Sequence, residues 1–224
     1  RRYNPAVPLL DLDVVIVDGT EVYQNEIDAA VAGVTAIYAA AGAPAIGAVN
    51  QFSFTNPGGS VVCSGCADMN VLRSVGTGGS AQSVKVILVS DFSDGGLLGI
   101  AGGIPGALGV EGLGSAAVVI AVDAHLDGTG QTLDLDLFAE TWAHEIGHQL
   151  GLFHTTERDG SRFDVIADTP ECPPSQDFDG DGLLSPTECL AFGADNFMFW
   201  VGGIDQGVMS NTQSAVLSSS PVAH

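Results

Sequence analysis

HEIGHQLGLFH, residues 144–154, sets three histidines, one glutamate and a well-spaced glycine within eleven residues. The surrounding stretch LDLDLFAETWAHEIGHQLG (133–151) keeps apolar side chains at Leu133, Leu137, Trp142 and Ile146, the recurrence of a helix with one buried face. Gly151 is placed to end that helix, because glycine can adopt the left-handed conformation that turns the chain sharply. On such a helix His144 and His148 lie four residues apart, so both imidazoles project from one face about one turn apart. The turn at Gly151 lets His154 swing back as a third nitrogen ligand. Three neutral imidazoles suit zinc and leave its fourth tetrahedral position for water, the mark of a catalytic rather than a structural site. Glu145, beside the first histidine, is then a candidate general base for a water whose pKa the metal lowers towards about 7. The alternative is an ordinary helix with surface histidines, but three of the chain's 5 histidines fall at these offsets. The other two, His125 and His224, are expected to have no catalytic role.

Outward from this helix the chain reads as α/β. LDVVIVDG (12–19), IGAVNQFSFT (46–55), SVKVILVSDF (83–92) and Val118 to Val122 are β-branched runs that predict strands. From Thr20 as N-cap, apolar residues recur at helical spacing through Val34, Ile37 and Tyr38 until Gly42, which predicts a long backing helix. GGLLGIAGGIPGALGVEGLG (95–114) is too rich in glycine for regular structure and is expected to be a surface loop, either a connector or the rim of a cleft. Ser210 is a candidate N-cap for a last helix at TQSAVL, with Met209 as its hydrophobic staple.

Composition narrows the function classes. The 224 residues suit one large domain or two tightly joined lobes, and 46% hydrophobic with 15% charged residues indicates a folded chain. With 27 acidic residues against 6 Lys plus Arg, the net charge is −21, which repels nucleic acid and anionic membranes and attracts cations and basic peptides. No apolar run is long enough for a membrane span. The first residues, RRYNPAVPLL, lack the apolar stretch of a signal peptide, so the N-terminus is expected to be a processed one. The four cysteines, Cys63, Cys66, Cys172 and Cys189, lack zinc-finger spacing and are expected to form disulfides, with chain neighbours Cys63–Cys66 and Cys172–Cys189 the natural pairs among three connectivities. Disulfides place the protein in an oxidising compartment, secreted or extracytoplasmic.

His144 to His154 resembles the metzincin signature HExxHxxGxxH. Within metzincins the chain resembles the pappalysin group, which includes ulilysin-like peptidases, through LLGIAGGIP (97–105), HEIGHQLGLFHT (144–155), DVIADTP (164–170) and DNFMFW (195–200). The resemblance implies an α/β (α+β) upper lobe, residues 1–151, with a twisted mixed sheet, a backing helix and the metal helix. A smaller irregular lobe, residues 152–224, follows within one catalytic domain. It also implies zinc endopeptidase activity on peptides or proteins and a methionine turn beneath the metal. Of the two candidates, Met198 lies in NFM, which resembles that turn, and Met209 reads as core packing. Pappalysins carry a tyrosine two residues beyond the turn methionine, whereas Trp200 stands here, an indole without an ionisable hydroxyl. In ulilysin-like relatives the next segment walls the pocket for the residue after the scissile bond. Here that segment is VGGIDQG (201–207), whose only charge, Asp205, would favour Arg or Lys. Arg1-Arg2 at the start is what self-cleavage before arginine would leave.

A second cluster, DFDGDGLLSPTE (177–188), matches the EF-hand loop D-x-D-x-D-G-x5-E. Asp177, Asp179, Asp181, Ser185 and Glu188 would supply side-chain oxygens and Leu183 its carbonyl, a hard set suited to calcium. The prolines of ADTPECPPSQ forbid the usual entering helix, so a calcium loop without a full EF-hand is expected, closed by Cys172–Cys189. The rival to a calcium-stabilised peptidase is a catalytically weak metzincin-like surface or binding module, against which the intact Glu145 argues.

Overall fold

The computed structural model describes residues 7–77, 79–80, 82–203 and 205–224. Arg1 and Arg2 lie outside the described residues. The elements are β1 (Leu9–Val17), α1 (Gln24–Ala40), β2 (Ala45–Phe54), β3 (Val61–Val62), α2 (Ala67–Arg73), β4 (Ser83–Val89), β5 (Asp91–Phe92), β6 (Gly99–Ile100), β7 (Ala117–Ala121), α3 (Leu135–Gln149) and α4 (Asn211–Ser218).

The main sheet is mixed, in the order β2-β1-β4-β7-β6. Its pairs are parallel except β6 with β7, which is antiparallel. Alternation along the central strands divides the core. Leu10, Leu12 and Val14 of β1 join Val84, Val86 and Leu88 of β4 and Val118 and Ile120 of β7 on the face covered by α1 and α3. Val15, Val17, Ile87, Val89, Val119 and Ala121 point to the other face, with Met69 and Leu72 of α2 and Phe92 of β5. A strand buried on both sides must be apolar at consecutive positions, which is why these runs read as continuous rather than alternating. The α/β expectation, with a backing helix behind the metal helix, therefore holds.

Local differences have physical causes. The backing helix starts at Gln24 with Tyr23 as N-cap, because the Tyr23 amide donates to Glu26 Oε2 at 2.7 Å. Thr20 instead points back to the Leu88 carbonyl. The glycine-rich segment contains a strand after all: β6 pairs with β7 through Gly99 opposite Ile120 and Ile100 opposite Val119. Glycine at 99 is required there, since a Cβ would sit 2.7 Å from Glu145 Cγ. Helix α2 lies in a stretch for which no element was expected. Beyond Gly151 the only α-helix among the described residues is α4, capped by Ser210 and Gln213 in reciprocal hydrogen bonds. Met209 packs against the main core there. Cys63 is bonded to Cys66 and Cys172 to Cys189. No described helix is long and apolar enough to cross a membrane.

Candidate metal centre

Helix α3 is built to hold its polar face rigidly. Asp134 caps it by accepting from the Leu137 amide, and Phe138, Trp142, Ala143 and Ile146 anchor its other side in the core. It closes at Leu150, and Gly151 at φ +112° turns the chain away. The amide of Leu152 then donates to the Gly147 carbonyl at 2.9 Å, which brings His154 back over the helix.

One nitrogen from each of His144, His148 and His154 lies within 4.8 Å of the other two. The outer nitrogens are committed elsewhere. Nδ1 of His144 meets the Phe197 carbonyl at 2.8 Å, Nδ1 of His148 meets the Leu152 carbonyl at 2.7 Å, and Nδ1 of His154 meets Glu157 Oε2 at 3.3 Å. Each acceptor selects the tautomer with hydrogen on Nδ1 and leaves Nε2 as a bare donor pair. Nε2 of His148 and Nε2 of His154 face each other at 3.1 Å. Two lone pairs at that distance repel unless a cation lies between them. Tetrahedral zinc with bonds of about 2.05 Å spaces its ligands by about 3.3 Å. Burial favours the neutral, ligating form throughout: it pushes His144 well below its ordinary pKa, His148 down to about 4, and His154 downward. The donor set thus fits zinc.

Met198 lies beneath this face. A Cβ at residue 147 would sit 2.6 Å from its sulfur, so glycine between the two helical histidines is what admits the methionine. The turn is held by Asn196, whose Oδ1 accepts from the Met198 amide at 2.9 Å and whose side-chain amide pairs with that of Gln213.

Glu145 points from the same helix into a cleft of about 470 Å³ that the three histidines also line. It is 7% exposed, and burial raises its carboxyl pKa to about 8, opposed by the Ala101 amide and the Arg73 guanidinium. Strand β6 forms one rim of the cleft, and Trp200 lines it from the segment after the methionine turn. The Trp200 indole N–H is already spent on the Leu184 carbonyl at 2.7 Å.

Other expected residues fall as follows. Asp205 lines not this cleft but an adjoining cavity of about 530 Å³, with Asp134, Asp136 and Glu140. Glu140, which sequence reasoning missed, lines both and accepts from the Gln206 amide at 2.9 Å. Its place one turn before His144 was the available signal. In the acidic loop, oxygens of Asp177, Asp179 and Glu188 come together. Asp181 stands outside that group and accepts from the Leu183 amide, while the Ser185 hydroxyl donates to Glu188. His125 is buried between the Ala121 carbonyl and the Thr141 hydroxyl, both at 2.8 Å, away from the triad. His224, at the chain end, pairs its backbone with Leu9.

Fold and site together define an α/β protein in which three histidines and one glutamate of neighbouring helical and loop positions line one cleft. The profile of metallopeptidase family M12B, reprolysin-like, matches residues 64–155, which include α2, β6, all of α3 and the three histidines. No curated protein matches the chain. Similar solved structures include metalloproteinase-II from Bacteroides fragilis, at 19% identity over 68% of this chain and 45% of that one, TM-score 0.44. Archaemetzincin from Methanopyrus kandleri is similar at 19% identity over 67% of this chain and 78% of that one, TM-score 0.45. A chaperone–substrate complex is similar at 15% identity over 68% of this chain and 25% of that one, TM-score 0.47. The chain therefore spans less than half the length of the first of these and a quarter of the third.

Proposed function

We propose that this chain is a zinc-dependent endopeptidase in which His144, His148 and His154 hold the metal and Glu145 is the general base. The observation that carries this reading is the convergence of one ring nitrogen from each of three histidines whose Nδ1 partners are fixed by the fold, with a carboxylate on the next helical residue facing the same cleft. Zinc bound there would acidify a water and polarise the scissile carbonyl. Glu145 takes the proton of the attacking water and passes it to the leaving amine, and its buried setting keeps bulk water from competing for that proton. An extended peptide fits along β6, because an edge strand offers unpaired backbone groups. With the Trp200 indole committed to Leu184, zinc held by His144, His148 and His154 would supply the positive charge that a developing oxyanion needs.

The finer reading places the chain with the pappalysin group of metzincins, supported by the four motifs, the buried Met198 beneath the helix and the break at Gly151 between residues 1–151 and 152–224. A structural calcium ion in the 177–188 loop accords with the convergence of Asp177, Asp179 and Glu188. Two disulfides support a secreted or extracytoplasmic setting. Selectivity for Arg or Lys after the scissile bond accords with Glu140 between the cleft and the acidic cavity that holds Asp205. The test is cleavage of casein by the zinc-loaded protein, abolished by a zinc chelator and restored by stoichiometric zinc. Cleavage indifferent to the chelator would reject a metal mechanism.

A further inference from the structure

Arg73 is the last residue of α2, on the face of the sheet opposite the metal helix's backing, and it is only 7% exposed. Its Nη2 donates to the Ala101 carbonyl at 3.0 Å and reaches the Ile100 carbonyl at 3.5 Å, while its Nε is buried with no hydrogen-bond partner among the described residues. Ala101 also lines the cleft into which Glu145 points. One short run of backbone is thus gripped by a guanidinium through its carbonyls and borders the cleft that holds Glu145.

Burying a guanidinium carries a desolvation penalty, whereas an apolar side chain of equal reach would fill the space without it. A role in which charge and fork geometry are used accounts for the choice. Strand β6 has only two residues and lies at the sheet edge, so β7 alone holds it weakly. We propose that Arg73 is a positioning residue that fixes Gly99–Ala101 at the height where an extended substrate backbone pairs with it. The inference rests on the peptidase reading for its consequence in catalysis, and on geometry alone for the clamp itself.

The test compares Arg73→Met and Arg73→Lys with the parent, each zinc-loaded. Losing charged hydrogen bonds to two carbonyls is expected to raise KM for an extended peptide about tenfold in the Met variant, with kcat per bound zinc changed less. Lysine, which keeps the charge but not the fork, is expected to recover part of that loss. Hydrogen exchange of the amides at residues 99–102 is expected to quicken in both variants while exchange in β1 and β4 stays as in the parent. A side chain that merely supports the fold would lower the folded fraction and leave KM untouched. Unchanged KM in an active variant, or unchanged exchange at residues 99–102, overturns the proposal. Should Arg73→Met fail to fold, the Lys variant decides on the same two readouts. A parent protein that cleaves no peptide refutes the peptidase reading, and the exchange measurement then judges the clamp by itself.

Discussion

The Trp200 indole N–H donates to the Leu184 carbonyl at 2.7 Å, and the Leu184 amide donates to the Arg158 carbonyl at the same distance. Leu184 is fully buried within the acidic loop, while Trp200 and Arg158 both line the histidine cleft. One loop residue therefore ties the candidate calcium site to two walls of the candidate active site. Trp200→Phe keeps the ring and removes the donor, leaving a buried carbonyl unpaired. It is expected to destabilise the protein by about 1 to 3 kcal/mol. Zinc affinity should stay unchanged, because the indole N–H is bonded to the Leu184 carbonyl and not to a histidine. Thermal melting and zinc titration check this, and weakened zinc binding would contradict the assigned role.

Calcium is expected to act through the same tie. At a free concentration one hundred times its dissociation constant, an ion that binds only the native state adds about 2.7 kcal/mol. Removing calcium while sparing zinc should lower the melting temperature and quicken autolysis between residues 170 and 195, where carboxylates would be left to repel one another. Melting that is indifferent to calcium from micromolar to millimolar concentrations would show the loop to be a plain acidic turn.

The metal centre separates into two variants with different signatures. Glu145→Ala is expected to retain zinc and lose at least about a hundredfold in kcat, the usual contribution of a general base. His154→Ala is expected to lose zinc as well, since three nitrogen ligands become two. Metal analysis after dialysis, together with peptide hydrolysis, distinguishes them. Stoichiometric zinc in the His154 variant, or full activity in the Glu145 variant, would count against the assignment.

Selectivity should follow the acidic cavity. A peptide-library digest is expected to show Arg or Lys enriched immediately after the cut, and Glu140→Gln to weaken that preference more than Asp205→Ala. Glu140 lines both cavities, whereas Asp205 lines only the outer one. An apolar preference at that position in the parent would refute the reading.

His125 gives a pH dependence separate from the metal. Burial holds its pKa at about 4 against an ordinary 6.5, so the unfolded chain binds a proton that the folded one refuses. Stability from this group is therefore fully present above pH 6.5, is lost as pH falls from 6.5 to about 4, and changes no further below that. The full difference is roughly 3 kcal/mol. His125→Gln should flatten that part of the melting profile relative to the parent. An unaltered profile would mean that other groups carry the acid sensitivity.

Sequence alone determined what depends on local spacing. His144 and His148 share a face because a helix repeats every 3.6 residues, Gly151 permits the turn through its backbone freedom, and the 177–188 carboxylates alternate at loop spacing. Tertiary structure decided what depends on residues brought together from far along the chain. The tautomer of His144 is set by Phe197, 53 residues away, and the grip on Ala101 comes from Arg73, 28 residues away. Asp205 reads as the one charge of its segment, yet it lines only the adjoining cavity, whereas Glu140 on α3 lines that cavity and the histidine cleft as well. Strand β6 was hidden for the same reason: two residues, one of them Gly99 in a glycine-rich run, are too few to show a strand pattern, and pairing with β7 supplies the hydrogen bonds that local sequence does not encode.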